Sequence, residues 1–202
     1  MQKNLSFILL FIAISIPSIA FATGDPVAGK STAVICIGCH ASDGNSTNPI
    51  YPKLAGQNEP YLAKQLYDFK SGQRKEEHMS SMVEAIGLDD IPNIAAYFSQ
   101  QARTADDAII PANPLGKKLY QTGDRSKAIT ACITCHGPNA RGNPAQLYPS
   151  LAGQHSDYLV KSLKAFRSKE RQNDSNEVMR QITAKLSDTD IQALAQYLST
   201  LP

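Results

Sequence analysis

Apolar residues recur at helical spacing along most of the chain. In residues 187–199 they stand at i, i+3, i+4 and i+7 and so share one face of a helix, and residues 90–98 have the same spacing. No segment alternates convincingly between apolar and polar residues, which is the pattern typical of strands. The pattern therefore predicts an all-α fold. The apolar positions in the two segments are Ile91, Ile94, Ala95 and Phe98, and Ile191, Leu194, Ala195 and Leu198.

Capping signals locate several helix ends. Asp25 precedes Pro26, so we expect Asp25 to cap a helix whose first residue is proline, where no backbone N–H is needed. A second helix is expected after residue 58, ending at Gly72. Ser187 and Asp190 have the spacing of a capping box and predict the start of the last helix.

The chain is an internal duplication. YPKLAGQNEPYLAKQLYDFKSG, from residue 51, aligns with YPSLAGQHSDYLVKSLKAFRSK, from residue 148, at an offset of 97. The offset is 96 at the cysteines and 100 at the last helix, so the small insertions belong in loops. We predict two units, residues 23–101 and 115–202, and a linker at residues 102–114, where Pro, Ala and acidic residues lack helical periodicity.

The first 22 residues have the features of a secretory signal peptide. They contain Lys3, an apolar run at residues 5–16, Pro17 and a small-x-small ending at Ala22, after which we expect cleavage. The apolar run is short for a membrane span, which needs about 20 residues. The sequence therefore predicts an exported protein. We expect no nucleic-acid partner.

The two halves of the mature chain differ in charge. Residues 23–108 contain 7 Lys and Arg against 11 Asp and Glu, whereas residues 109–202 contain 12 against 7. Such a dipole can orient a protein as it approaches a charged partner. Independent drift of two solvated surfaces is the alternative.

All four cysteines lie in two C-x-x-C-H pentads, CIGCH at 36–40 and CITCH at 132–136. A disulfide within one helical turn would constrain little, a thioredoxin site would need a βαβ unit, and a four-cysteine zinc site would need closer pairs. Covalent haem c attachment, by contrast, explains the adjacent histidine, which would be an iron ligand. The predicted thioether residues are Cys36, Cys39, Cys132 and Cys135, and the predicted proximal iron ligands are His40 and His136.

The repeat also suggests a sixth ligand for each iron. Met79 aligns with Met179 at the offset of the last helices, whereas Met82 and His78 have no methionine or histidine at the matching positions. We therefore expect Met79 and Met179 to be axial ligands, with Met82 as a core residue or fallback ligand and His78 facing solvent. A lone methionine at helical spacing is otherwise more often a core residue.

Other matched positions suggest supporting roles. Pro52 and Pro149 could present carbonyls that orient the ligating histidines. The remaining expectations are close backbone approach to the porphyrin at Gly56 and Gly153, propionate contacts from Tyr61 and Tyr158, and a helix entrance at His155. Turn and packing roles are the alternative for all of these pairs.

With these residues in hand, the mature chain resembles the dihaem cytochrome c4 family along nearly its whole length. The resemblance is carried by CIGCH, YPKLAGQ, YLAKQLYDF, CITCH, YPSLAGQ, NDSNEVMR and TAKLSDTD. It implies two tandem cytochrome c domains related by pseudo-twofold symmetry, each wrapped around a covalent haem. It also implies His40 and Met79 on the first iron and His136 and Met179 on the second.

The family's proteins are periplasmic electron carriers, often loosely held at the inner membrane. The resemblance therefore implies an electron carrier, not an enzyme, that takes electrons from an upstream donor complex and delivers them to a terminal oxidase. Two alternatives stay open. One is a haem subunit of a larger dehydrogenase such as a flavocytochrome. The other is a catalytic dihaem peroxidase with one open haem.

Overall fold

The computed structural model describes residues 24–104 and 112–202. The predicted signal peptide, at residues 1–22, and residues 105–111 of the predicted linker lie outside the described residues, so the predictions made for them are not tested. In the described residues each half of the chain contains five α-helices. They are α1 (Pro26–Thr32), α2 (Ile37–His40), α3 (Glu59–Lys70), α4 (Glu77–Met82) and α5 (Asp90–Ser99), then α6 (Pro114–Thr122), α7 (Ile133–His136), α8 (Ser156–Arg167), α9 (Val178–Thr183) and α10 (Asp188–Ser199).

The all-α prediction is confirmed. The only β-type pairing within the described residues consists of two isolated antiparallel bridges, at Asp124–Ile129 and Asn143–Tyr148. Short 3₁₀ turns complete the units, at Ala33–Cys36, Val83–Ala85, Pro144–Gln146 and Ser175–Glu177.

The predicted caps form. The Asp25 carboxylate accepts hydrogen bonds from the first backbone N–H groups of α1, which begins at Pro26. Ser187 and Asp190 exchange both bonds of a capping box at the start of α10. The helix expected to end near Gly72 ends two residues earlier, at Lys70.

The first and last helices of each unit cross at a glycine. A Cβ added to Gly29 on α1 would lie 1.9 Å from the carbonyl oxygen of Asn93 on α5. Gly116 on α6 has the same distance to the carbonyl oxygen of Ala193 on α10. Real Cβ atoms do not approach a carbonyl so closely, so only glycine permits this helix packing. Each unit encloses its own apolar cluster behind the crossing.

The units meet through two buried glutamines that act reciprocally. The Gln57 side chain accepts a hydrogen bond from Ser150 N (2.7 Å) and donates one to Ser150 O (2.9 Å). The Gln154 side chain bonds Lys53 N (2.8 Å) and Lys53 O (3.0 Å) in the same way. Each amide thus pairs with a backbone segment of the other unit as a neighbouring strand would. The exchange has the pseudo-twofold relation expected of a duplicated chain.

Candidate haem sites

Each C-x-x-C-H pentad forms one short helical turn. Cys36 occupies the N-cap position of α2, and Cys132 that of α7, although neither side chain makes a capping hydrogen bond. Each turn ends with its histidine. The following residues, Ala41 and Gly137, have φ angles of 62° and 77°, so the chain leaves the helix immediately after the imidazole. No disulfide joins any of the four cysteines, all of which lie in the described residues. Residues at i and i+3 lie on the same helix face, which is the arrangement that two thioether bonds to one porphyrin edge require.

Both pentad histidines are buried and held by one ring nitrogen. His40 Nδ1 lies 2.9 Å from the carbonyl oxygen of Pro52, and His136 Nδ1 lies 3.1 Å from that of Pro149. A carbonyl only accepts, so Nδ1 carries the proton and Nε2 keeps its lone pair. Burial lowers the pKa of both imidazoles and so favours this neutral form. The hydrogen bond to the proline carbonyl raises the pKa, but by less than burial lowers it. The expected role of the two prolines is confirmed, and each Nε2 is left available to bind iron.

The thiols do not resemble a thiolate metal site. Burial raises the pKa of Cys36 and of Cys132 to about 11, so both are protonated at neutral pH. No cluster of three or more His, Cys, Asp or Glu side chains that could hold a metal ion occurs in residues 24–104 and 112–202. The donor set of each site, two cysteines at i and i+3 and one imidazole with a free Nε2, therefore fits covalent haem c.

The candidate sixth ligands differ in exposure. Met79 on α4 is half buried and packs against the apolar cluster of the first unit, to which Cys36 also packs. Met82 is 42 % exposed. The His78 side chain is 68 % exposed and lies 3.7 Å from Glu76, away from the core. Met179 is half buried on α9. These positions suit the roles predicted for Met79, Met179 and His78, but the ligation itself stays a prediction. The core role expected for Met82 is wrong, because its side chain lies at the surface.

The matched tyrosines hold arginines of the opposite unit. The Tyr61 hydroxyl accepts a hydrogen bond from Arg171 Nη2 (2.9 Å), and the Tyr158 hydroxyl accepts one from Arg74 Nη2 (3.2 Å). The sequence reasoning missed both arginines. A usable signal existed, because Arg74 and Arg171 occupy matching positions at the offset of 97. The predicted propionate contacts of the tyrosines remain untested.

His155 also has a role that the sequence did not indicate. It stands at the entrance of α8, as expected, but it is buried and reaches across to the first unit. Its Nε2 donates to the carbonyl oxygen of Ser46 at 2.7 Å. Gly56 and Gly153 both adopt positive φ, in matching turns. Their predicted approach to the porphyrin remains untested.

In the described part of the chain, no helix is long and apolar enough to cross a membrane. Two matched helical units, each with a C-x-x-C-H turn and a buried, oriented histidine, define a two-domain c-type cytochrome. Residues 114–202 match the family model described as Cytochrome c.

Comparison with known proteins gives the family. Cytochrome c4 of Azotobacter vinelandii is 40 % identical over 211 residues, covering 98 % of this chain and 99 % of that protein. The crystal structure of reduced recombinant cytochrome c4 from Pseudomonas stutzeri superimposes with a TM-score of 0.85 at 40 % identity, over 89 % of this chain and 100 % of that chain. The chain therefore belongs to the cytochrome c4 family, whose proteins transfer electrons, and it carries two covalent haem c groups.

A further relative has a more specific description. The "thiosulfate dehydrogenase electron acceptor" of Thiomonas intermedia is 35 % identical over 180 residues, covering 87 % of this chain and 82 % of that protein.

Proposed function

We propose that the protein is an exported electron carrier in which one histidine and one methionine ligate each iron. The ligands are His40 and Met79 in the first unit and His136 and Met179 in the second. The observation that carries the proposal is the same in both units: a buried imidazole is fixed through Nδ1 and leaves Nε2 unprotonated. A haem with His and Met ligands has a raised potential and no open position, so it exchanges electrons without binding substrate.

The protein's own residues supply orientation and rigidity. The Pro52 and Pro149 carbonyls orient each imidazole, and the burial of both imidazoles would keep water away from a bond between Nε2 and iron. The bonds of Gln57 and Gln154 hold the two units in one arrangement. A fixed separation of two cofactors suits electron passage within the molecule.

The proposed location is the periplasm, after removal of residues 1–22. The proposed partners are an upstream donor complex and a terminal oxidase, and peripheral contact with the membrane is compatible with that route. The excess of basic residues in the second half of the chain supports docking of that half on an acidic partner.

A second candidate is the role of acceptor for a dehydrogenase. The relative from Thiomonas intermedia, which carries that description for thiosulfate dehydrogenase, favours this candidate. Reduction of the purified protein by a thiosulfate dehydrogenase and thiosulfate would support it. Reduction by a quinol-oxidising complex, with no reaction in the thiosulfate assay, would favour the respiratory route.

Carbon monoxide tests the ligand assignment. We expect no Soret shift when carbon monoxide is added to the fully reduced wild-type protein, because both irons are six-coordinate. Met79→Ala and Met179→Ala should each open one iron and shift about half of the haem absorbance. Met82→Ala is the matched control and should leave the spectrum unchanged. A shift in the wild-type protein would refute the carrier with two closed irons and favour a catalytic dihaem protein, and a shift in Met82→Ala would reassign the first ligand.

A further inference from the structure

Two matching lysines reach across the boundary between the units. Lys64 on α3 and Lys161 on α8 are related by the repeat offset of 97. Lys64 Nζ donates to the carbonyl oxygen of Asn173 at 2.9 Å. Lys161 Nζ lies 3.0 Å from Glu76 Oε1. Each lysine therefore binds the loop that precedes the methionine-bearing helix of the other unit. We name these loops pre-methionine loop 1 (residues 71–76) and pre-methionine loop 2 (residues 168–177).

The same loops are held by the arginines described above. Arg171 in pre-methionine loop 2 is 8 % exposed and lies over the Phe166 ring of its own unit, 4.4 Å from the centroid. Its Nη2 reaches the first unit, at Tyr61 and at Gln65 Oε1, both at 2.9 Å. Arg74 in pre-methionine loop 1 donates to Tyr158 of the second unit. The guanidinium groups thus hold both loops against the opposite unit.

Hydrogen bonds at two consecutive residues, Asn173 and Asp174, connect the first unit to the neighbour of Met179 in the chain. Asn173 Nδ2 donates to Asp68 Oδ2 at 2.6 Å and to Gln65 Oε1 at 2.9 Å, and both acceptors lie on α3. The next residue, Asp174, accepts hydrogen bonds from Arg180 N (3.0 Å) and Arg180 Nε (2.7 Å). Arg180 directly follows Met179, so α3 fixes the loop from which the methionine helix starts.

The connection to Met79 is shorter and more exposed. Glu76 Oε2 accepts hydrogen bonds from the backbone N–H groups of His78 (3.1 Å) and Met79 (3.0 Å) and so caps α4. The other oxygen of the same carboxylate pairs with Lys161, whose side chain is 56 % exposed. Exposed ion pairs contribute little to stability, so pre-methionine loop 1 is bound to the opposite unit more weakly than pre-methionine loop 2.

We propose that each unit positions the methionine ligand of the other unit. Asp68 and Gln65 of the first unit are positioning residues for Met179, and Lys161 of the second unit is a positioning residue for Met79. The inference rests on the His/Met ligation proposed above. The dependence is unequal, because pre-methionine loop 2 is held by a buried network and pre-methionine loop 1 by more exposed bonds. Loss of the bonds across the boundary therefore weakens the second iron–sulfur bond more than the first.

The test measures imidazole binding to each oxidised haem of the full-length, haem-loaded protein. Imidazole competes with the methionine, so its affinity reports the strength of the iron–sulfur bond. Nuclear magnetic resonance of the iron-bound methionine methyl groups separates the two sites, with assignments from Met79→Leu and Met179→Leu. We expect Asp68→Ala to raise the imidazole affinity at the Met179 site about tenfold and that at the Met79 site less than about twofold. Asp68→Asn keeps an acceptor oxygen, so its imidazole affinity at the Met179 site should be close to that of the wild type.

The reverse direction has a matched control on one helix. Lys161→Met should raise the imidazole affinity at the Met79 site about twofold. Lys164→Met, also on α8, removes a lysine that pairs with Asp188 in its own unit, and it should leave the Met79 site unchanged.

The outcomes separate this inference from the proposed ligation. An effect of Asp68→Ala at the Met79 site alone, or at neither site, would overturn the inference. If Asp68→Ala does not fold, Tyr61→Phe serves in its place, because it removes only the hydroxyl that accepts a hydrogen bond from Arg171. It should raise the imidazole affinity at the Met179 site about threefold. An unchanged Met179 site in that variant would also overturn the inference. A wild-type protein without two iron-bound methionine resonances would instead refute the ligand assignment.

Discussion

The contact between the units depends on Gln154, and Gln154→Ala tests it directly. The side chain is 3 % exposed and makes two hydrogen bonds to Lys53 of the other unit, at 2.8 Å to the backbone N and 3.0 Å to the backbone O. Lys53 is itself 3 % exposed. The substitution therefore removes both partners from backbone groups that water reaches poorly.

The expected cost follows from those two groups. A buried donor or acceptor that loses its partner costs about 1–3 kcal/mol. The two Lys53 groups give about 2–6 kcal/mol, and this loss falls on the contact between the units because each unit keeps its own apolar cluster. The His155 N–H, which also donates to Gln154 Oε1 at 3.0 Å, loses its partner as well and adds about 1–3 kcal/mol within the second unit. For a chain of this size, each kcal/mol lowers the melting temperature by roughly 2–4 °C.

Differential scanning calorimetry of the haem-loaded protein measures the effect. We expect one unfolding transition in the wild type, and in Gln154→Ala either a separation into two transitions or a decrease of roughly 4 °C or more. Gln57→Ala should give the same result, two transitions or a lower melting temperature, because Gln57 makes the reciprocal hydrogen bonds to Ser150. Gln121→Ala, at an exposed position on α6, is the control and should change little. A decrease below roughly 1 °C with a single transition would refute the reasoning.

Two further predictions concern packing and pH. Gly116→Ala should lower the free energy of unfolding, measured in urea, by about 3 kcal/mol, because its Cβ would lie 1.9 Å from the Ala193 carbonyl oxygen. Burial raises the pKa of Asp190, but the hydrogen bonds it accepts, including one from Lys127, lower it below its ordinary value of 3.8 overall. The ionised Asp190 carboxylate therefore stabilises the folded protein above pH 3.8, and this stabilisation is lost as the pH falls through the lowered pKa. Lys127→Met should be less stable than the wild type at pH 7, and the difference in free energy of unfolding between the two proteins should become smaller in acid. A difference that stayed constant with pH would contradict this assignment.

Local patterns account for the parts of the fold that sequence reasoning predicted correctly. The caps at Asp25 and Ser187 depend on atoms within a few residues, so their residue types are sufficient evidence. The carbonyl partners at Pro52 and Pro149 were predictable because the duplication presents each loop twice. The same duplication nominated Met79 and Met179, whose ligation the carbon monoxide experiment addresses.

The sequence by itself determined the helical class, the two units and the covalent attachment of two haems, because periodicity, repetition and the C-x-x-C-H pentads are local properties of the chain. Only the tertiary structure decided how the units hold each other. Gln154 and Lys53 are 101 residues apart, and Arg171 and Tyr61 are 110 apart, and no periodic pattern connects such positions. Their hydrogen bonds depend on the docked arrangement of two surfaces, which no single segment of the chain encodes.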